Sequence, residues 1–334
     1  MRSLRRPGQV HAGERGTHRG PPASGGRDRR DGGELGIAGR EGEGADGSGS
    51  GQAPLIPGAG ARTILITGCS SGIGLDAART LAARGWRVLA TCRDPADCTR
   101  LEGEGLVSFP LDLDDEASVA AGAEEALARS GGTVDALFNN GAFALPGAVE
   151  DLPRAGLRAI FETNLFGQID LTNRIIPAMR ARGHGRIVMN SSVLGFFAMP
   201  YRGAYNATKF ALEGITDTLR REMAGTGIDV VLIEPGPITS AFRIKTVPHF
   251  ERHIDWRASP RRADYEARLL PRLYGPARHD RFELPAAAVT AALVRALEAR
   301  RPAARYRVTT PSKVAAWLTR ILPDAALDAI ARRR

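Results

Sequence analysis

The chain has 334 residues, 43% of them hydrophobic, with 46 basic against 37 acidic side chains and a formal net charge of +9. That length supports one large α/β domain, and a modest positive surplus without clustered cations and interleaved aromatics argues against a nucleic-acid partner. Three cysteines, Cys69, Cys92 and Cys98, show no metal-ligand spacing and no even count, so no metal site is predicted and free thiols in a reducing compartment, the cytoplasm, are expected.

Residues 1–60 hold 17 of the 39 glycines, nine arginines, seven acidic residues and no periodic apolar pattern. Such a stretch cannot bury a core and is predicted to be disordered. Its Arg5-Arg6 pair is not followed by an apolar run, so no secretory or twin-arginine signal is read there; a true start close to Ala61 is the alternative. A single domain is expected over residues 61–312, followed by a helical tail over 313–334.

Residues 63–67 are a short β-branched run that leads into Gly68-Cys69-Ser70-Ser71-Gly72-Ile73-Gly74 and then a helical pattern over 75–84. Strand, glycine turn and helix in that order suit a pyrophosphate: glycines at 68, 72 and 74 let the backbone approach it, and the helix start favours its charge. A second strand over 86–91 ends at Cys92-Arg93-Asp94, where such folds read the adenosine ribose. Arg93 there would attract a 2′-phosphate, which favours NADP(H) over NAD(H), unless it simply pairs with Asp94. A third strand, 107–111, closes on Asp112-Leu113, placed to meet adenine. The apolar run 134–138 reads as a buried parallel strand ending in Asn139-Asn140-Gly141-Ala142. Asn164 lies within an otherwise apolar helical stretch and needs partners there, either backbone groups at a kink or a water that relays protons.

A fifth strand, 186–190, delivers Ser191 and Ser192, and a sixth, 229–233, delivers Glu234-Pro235-Gly236-Pro237-Ile238-Thr239-Ser240, a rigid turn beside the same crevice. From Ala204 the spacing of Phe210, Ile215, Leu219 and Met223 predicts a helix, which stacks Tyr205 and Lys209 on one face. A cation about 4 Å from a phenol, at an effective dielectric near 20, favours the phenolate by ~4 kcal/mol, roughly three pKa units. Tyr205 would then exchange a proton near neutrality. The chain has only three lysines, Lys209, Lys245 and Lys313, against 43 arginines; a lysine kept at 209 suits a task that a planar guanidinium performs poorly.

Residues 241–284, rich in Arg, His and Pro, are expected to be an irregular lid loop. A helix over 286–299 and a strand over 306–310 complete the sheet. The tail places Val314, Trp317, Leu318, Ile321 and Leu322 on one apolar face, which either packs on the domain or lies on a membrane surface as a peripheral contact. Phe143, Leu145 and Val149 after the Asn-Asn motif, with Val193, Leu194, Phe196 and Phe197 after Ser192, predict an apolar wall near the reacting groups, suited to an apolar carbonyl or alcohol substrate. The alternation of strands and helices predicts an α/β fold, a single Rossmann-type doubly wound parallel sheet with helices on both faces.

Thr67 to Gly74, Asn139 to Ala142, Asn164, Ser192, Tyr205, Lys209 and Pro235-Gly236, in that order, resemble the short-chain dehydrogenase/reductase family. T-G-C-S-S-G-I-G, Y-x-A-x-K-x-A-L-E-G and E-P-G-P-I look most like bacterial NADP-dependent aldehyde reductases and hydroxysteroid or retinol dehydrogenases. The resemblance implies that Tyr205 is the acid/base and that Ser192, 13 positions before it, orients the substrate oxygen. Lys209 would bind the nicotinamide ribose and Asn164 complete a proton relay. Thr67, Gly68, Ser70, Ser71, Gly72, Ile73, Gly74, Arg93, Asp112, Leu113, Asn139, Asn140, Gly141, Pro235, Gly236, Ile238 and Ser240, with Tyr205 and Lys209, would hold the cofactor. Phe143, Ser192, Leu194, Phe196 and Tyr205 would meet the substrate. A homo-oligomer is implied by the same likeness. Asn-Asn-Gly-Ala departs from the family's commoner Asn-Asn-Ala-Gly, and no basic residue precedes Gly72. A catalytically silent dinucleotide sensor or scaffold is the rival reading, and a sugar epimerase is a further one.

Overall fold

The computed structural model describes residues 60–275 and 281–332. The segment predicted to be disordered lies, apart from Gly60, outside the described residues. The first half alternates β1 (Thr63–Ile66), α1 (Gly72–Ala83), β2 (Arg87–Cys92), α2 (Pro95–Gly103), β3 (Val107–Pro110), α3 (Glu116–Ser130) and β4 (Ala136–Asn139). There follow α4 (Arg154–Phe161), a π-helical turn (Glu162–Phe166), α5 (Gly167–Ala181), β5 (Gly185–Asn190), α6 (Gly203–Glu222) and β6 (Ile228–Glu234). The chain then forms β7 (Ile238–Thr239), α7 (Phe242–His253), α8 (Arg262–Asp264), a second π-helical turn (Tyr265–Leu269) and α9 (Leu270–Leu273). It ends with β8 (Leu284–Pro285), α10 (Ala286–Glu298), β9 (Arg305–Arg307), α11 (Thr310–Ile321) and α12 (Asp324–Arg332).

Seven parallel strands form one sheet in the order β3-β2-β1-β4-β5-β6-β9. The order reverses at β1, with β4 on its other side, which opens a crevice at the carboxyl ends of these two strands. Every residue of β1 and β5 is buried, as expected where helices cover both faces of a parallel sheet. On one face Ala77, Ala78 and Leu81 of α1 and Val289 and Leu293 of α10 pack on Ile64, Ile66, Val88 and Phe138. On the other, Val119 of α3, Leu171 and Ile175 of α5 and Leu212 of α6 pack on Leu65, Leu89, Leu137 and Ile187. Inserted Gly and Pro residues mark the chain's turns as the sequence suggests, and six of the seven predicted sheet strands match observed ones to within two residues.

Three expectations are corrected. Residues 241–284, expected to be irregular, are largely helical in their described part, because Phe250 and Ile254, then Tyr265, Leu269 and Leu273, recur at helical spacing. These five join Phe143, Leu145 and Ile160 in a third buried cluster. The high density of Arg, His and Pro hid that period; Pro248 stands inside α7 and Pro271 in the first turn of α9.

On α6 the core face is Ala204, Thr208, Leu212 and Thr216, whereas Phe210 and Ile215 of the expected stripe are exposed. In the tail, α11 begins at Thr310, where a strand was expected, because the Thr309 hydroxyl accepts from Ser312 N and caps it. The helix then buries Ser312, Ala315 and Ala316, leaving Val314, Trp317 and Ile321 at 47%, 62% and 52% exposure. The apolar stripe of the tail faces outward. No described helix is long and apolar enough to cross a membrane.

Candidate active site

The ends of β1, β4 and β5 are stitched together by short polar side chains. Thr67 Oγ1 accepts from the amides of Asn140 and Gly141, both at 2.9 Å. Asn140 Nδ2 donates to the carbonyls of Thr67 and Gly68, while Asn190 Nδ2 donates to Asn140 Oδ1 at 2.9 Å. Gly68 has φ +72°, and a Cβ there would stand 2.8 Å from Gly141 Cα. A Cβ on Gly74 would overlap the Gly68 carbonyl, so the turn keeps its backbone bare and closely apposed to the start of α1. Ser71, the N-cap of α1, makes no capping bond with its side chain. Free first-turn amides beside bare backbone fit a dinucleotide pyrophosphate. A Cβ on Gly141 would meet the end of the Leu113 side chain at 2.9 Å, a contact that a small shift of the leucine would relieve.

The other predicted cofactor residues divide. Arg93 is exposed at the end of β2 and makes no side-chain hydrogen bond or ion pair among the described residues. The expected alternative, a pair with Asp94, does not form, because the Asp94 carboxylate accepts from Ala96 N at 2.9 Å and caps α2. Asp112 turns one oxygen to its own loop, accepting from Asp114 N at 3.1 Å, and Leu113 is buried. Asn139 points away from the crevice: its Nδ2 donates to Thr172 Oγ1 at 2.8 Å inside the core. Pro235 accepts from Val193 N through its carbonyl, at 2.7 Å, and Gly236 is packed against Thr309. Ile238 packs on the α1/α10 core; Ser240 stands against Gly72 and its Oγ accepts from Phe242 N at 3.3 Å just before α7.

The candidate reacting groups meet where β5 ends and α6 begins. Ser192 is held by Leu194 N, which donates to its Oγ at 3.1 Å, and its hydroxyl lies close enough to the Tyr205 phenol to draw that group's pKa downward. Lys209, one turn beyond and 1% exposed, donates from Nζ to the Asn190 carbonyl at 2.7 Å. Its ammonium stands 5.6 Å from the Tyr205 ring centroid.

The expected lowering of the phenol pKa is not met in this arrangement. Burial pushes Tyr205 up to about 12, against the downward pull of Ser192 and Arg202. Burial likewise brings Lys209 down to about 8, with Glu213 opposing. The Nζ–Asn190 bond ties the ammonium to a carbonyl rather than to the phenol, so desolvation dominates both groups. Tyr205 therefore keeps its proton at neutral pH, the form able to donate to a carbonyl oxygen.

Asn164 occupies the π-helical turn between α4 and α5 and is fully buried. Its Oδ1 accepts from Phe143 N at 2.9 Å and its Nδ2 donates to Phe143 O at 2.8 Å, with a longer donation to Thr208 Oγ1. These bonds are the backbone-satisfying role that the sequence allowed for this side chain.

Phe143 is thereby fixed 3.7 Å from His249 of α7, with the rings stacked. Leu194 is partly buried in the turn after Ser192, and Phe196 lies under the Arg307 guanidinium on the β9 side. Sequence reasoning missed three contributors: Phe242, edge-on to Tyr205 at 5.8 Å; Arg202, a cation three residues before Tyr205; and Lys245, whose Nζ donates to Ser70 Oγ at 2.7 Å. Only the scarcity of lysine pointed to the last. An open cavity of about 800 Å³ lies at the opposite end of the sheet, lined among others by Arg62, His184 and Arg220; Ser192, Tyr205 and Lys209 are not part of it.

The family model described as short chain dehydrogenase matches residues 62–249. An oxidoreductase of Escherichia coli strain K12, YbbO, is 38% identical over 269 residues, which cover 80% of this chain and 93% of that protein. Human retinol dehydrogenase 8 is 38% identical over 194 residues, covering 55% of this chain and 61% of that one. Among solved structures, a short-chain dehydrogenase/reductase from Burkholderia phymatum in complex with NAD superposes with a TM-score of 0.66 at 25% identity, over 78% of this chain and 92% of the other. The matched span runs from the glycine turn past the Ser192–Tyr205–Lys209 cluster. The chain thus belongs to the short-chain dehydrogenase/reductase family and is an oxidoreductase acting on CH–OH groups.

Proposed function

We propose that the protein is an NADP(H)-dependent oxidoreductase that interconverts an apolar aldehyde or ketone and the corresponding alcohol. The observation that carries this reading is the convergence of the Ser192 hydroxyl and the Tyr205 phenol beside the buried Lys209 ammonium, with Phe242 edge-on to the phenol. Bound cofactor supplies or receives the hydride. The chain's own residues do the rest. Ser192 holds the carbonyl oxygen, Tyr205 delivers its phenolic proton to that oxygen, and the Arg202 cation, which with Ser192 draws the phenol pKa down, stabilises the phenolate that remains. In the reverse direction the same phenolate removes the alcohol proton.

The preference for NADP(H) rests on Arg93, an exposed guanidinium at the end of β2 with no hydrogen-bonded partner among the described residues. Apolar substrate choice is supported by Phe242 and the stacked Phe143–His249 pair, and by the likeness to a retinol dehydrogenase. The helical segment from α7 to α9 acts as the lid over this site. The outward stripe of Val314, Trp317 and Ile321 supports the membrane-surface alternative for the tail. The three buried, unpaired thiols suit the cytoplasm.

The test is kcat/KM along a homologous series of straight-chain aldehydes with NADPH and with NADH. Specificity should rise with chain length by up to ~0.8 kcal/mol per buried methylene. A flat profile, or preference for a polyhydroxylated substrate, would refute the apolar site.

A further inference from the structure

Three side chains of α7 spaced three and four residues apart, Phe242, Lys245 and His249, share one face of the helix. Each meets a different part of the crevice. Phe242 lies edge-on to the Tyr205 ring at 5.8 Å, Lys245 Nζ donates to Ser70 Oγ at 2.7 Å, and His249 stacks on Phe143 at 3.7 Å. The two ring contacts are complete as they stand. The middle one is not: an ammonium on an exposed stem rests on a neutral hydroxyl, and no carboxylate pairs with it among the described residues.

That hydroxyl belongs to the turn whose bare backbone and uncapped helix start fit a phosphate. The chain writes positive charge as arginine 43 times and as lysine three times. One of those lysines, Lys209, stands at the reacting centre, and a second reaches the glycine turn from the other side. A compact ammonium with three rotatable donors suits a phosphate oxygen approached end-on.

We propose that Lys245 is a cofactor-binding residue carried by the lid, its ammonium binding a phosphate of the dinucleotide laid over the Gly68–Gly74 turn, so that α7 closes on the loaded protein. This rests on the nicotinamide-cofactor reading above but not on the preference for NADP(H). The phosphate is either the pyrophosphate, shared by both cofactors, or the 2′-phosphate of NADPH alone.

NADPH and NADH are titrated separately into the wild type, Lys245→Met, Lys245→Arg and Arg93→Ala, and Kd is read from quenching of tryptophan fluorescence. Melting without cofactor checks the fold. A charged hydrogen bond predicts that Lys245→Met raises Kd about tenfold to a hundredfold, with melting unchanged and partial recovery in Lys245→Arg. A rise for both cofactors assigns the pyrophosphate, and a rise for NADPH alone assigns the 2′-phosphate. Unchanged Kd for both cofactors in Lys245→Met overturns the proposal. Equal wild-type Kd for NADPH and NADH overturns only the cofactor preference, and a wild type that binds neither overturns both.

Discussion

Asn164→Ala separates a structural amide from a relay group. The side chain is fully buried and makes two hydrogen bonds to the backbone of Phe143, itself 8% exposed. Alanine leaves that amide and carbonyl buried without partners at about 1 to 3 kcal/mol each, a loss of about 2 to 6 kcal/mol. The third bond, to Thr208 Oγ1 at 3.3 Å, adds little, because that hydroxyl still donates to Tyr205 O at 2.9 Å. For a domain of this size the loss corresponds to a drop in Tm of roughly 4 to 24 °C. Urea unfolding of wild type and variant, with an unchanged m-value, gives the difference directly. Activity should fall with it, since Phe143 and its stack on His249 lose their anchor. A variant with kcat strongly reduced but stability within about 1 kcal/mol of wild type would refute the argument and return Asn164 to a proton relay.

Tyr205→Phe removes only the phenolic proton, so kcat should fall ~100 to 10,000-fold while cofactor Kd stays within about twofold; near-normal turnover would sink the mechanism. Arg93→Ala should weaken NADPH by ~1.5 to 3 kcal/mol and leave NADH unchanged, and equal losses for both cofactors would remove Arg93 from the 2′-phosphate site. His249 is held at about 4, below the usual imidazole range, by burial and then by the nearby Arg93, His253 and Arg252. Its neutral form is favoured in the fold, so the unfolded chain binds the extra proton first. Stability linked to this group is complete above pH ~6.5 and is lost as the pH falls towards 4. Partial exposure makes the effect smaller than the full shift implies. His249→Phe keeps an aromatic stack and should flatten that acid slope in urea midpoints measured between pH 4 and 7; parallel slopes for the two proteins would count against it.

The sheet was legible because its signals are local. Continuous apolar runs such as Ala136–Asn139 and Gly185–Asn190 can sit only between two helical layers, and the glycine turn after β1 has few alternative uses. The convergence of Ser192, Tyr205 and Lys209 was legible for the same reason, since Tyr205 and Lys209 are one helical turn apart and Ser192 ends a strand.

What escaped depends on which neighbour a side chain finds. Asn139 and Asn140 are adjacent letters, yet strand alternation sends the first to Thr172 in the core and the second to the crevice. Phe210 and Ile215 are as apolar as Leu212, but α6 turns its small and polar face, with Ala204 and Thr208, to the sheet because Lys209 and Tyr205 must reach the strand ends. The pKa of Tyr205 could not be read from the Tyr-Lys spacing, because the Asn190 carbonyl that captures Nζ arrives from another strand. The helices over 242–273 were masked by arginine and proline, and their period shows once only the buried letters are read.

The helix from Arg154 to Ala181 contains a turn in which Gly167 N bonds back five residues to Glu162 O instead of four. In terms of chain length, this helix carries one residue more than a regular spiral between the same endpoints would accommodate. Removing one residue from 162–166 would therefore restore regular winding while leaving the faces of the helix before and after it nearly aligned. Ile160, Leu171 and Ile175 could keep their clusters, but Asn164 would swing off Phe143. A relative one residue shorter here can thus keep the fold while losing the Asn164–Phe143 bonds.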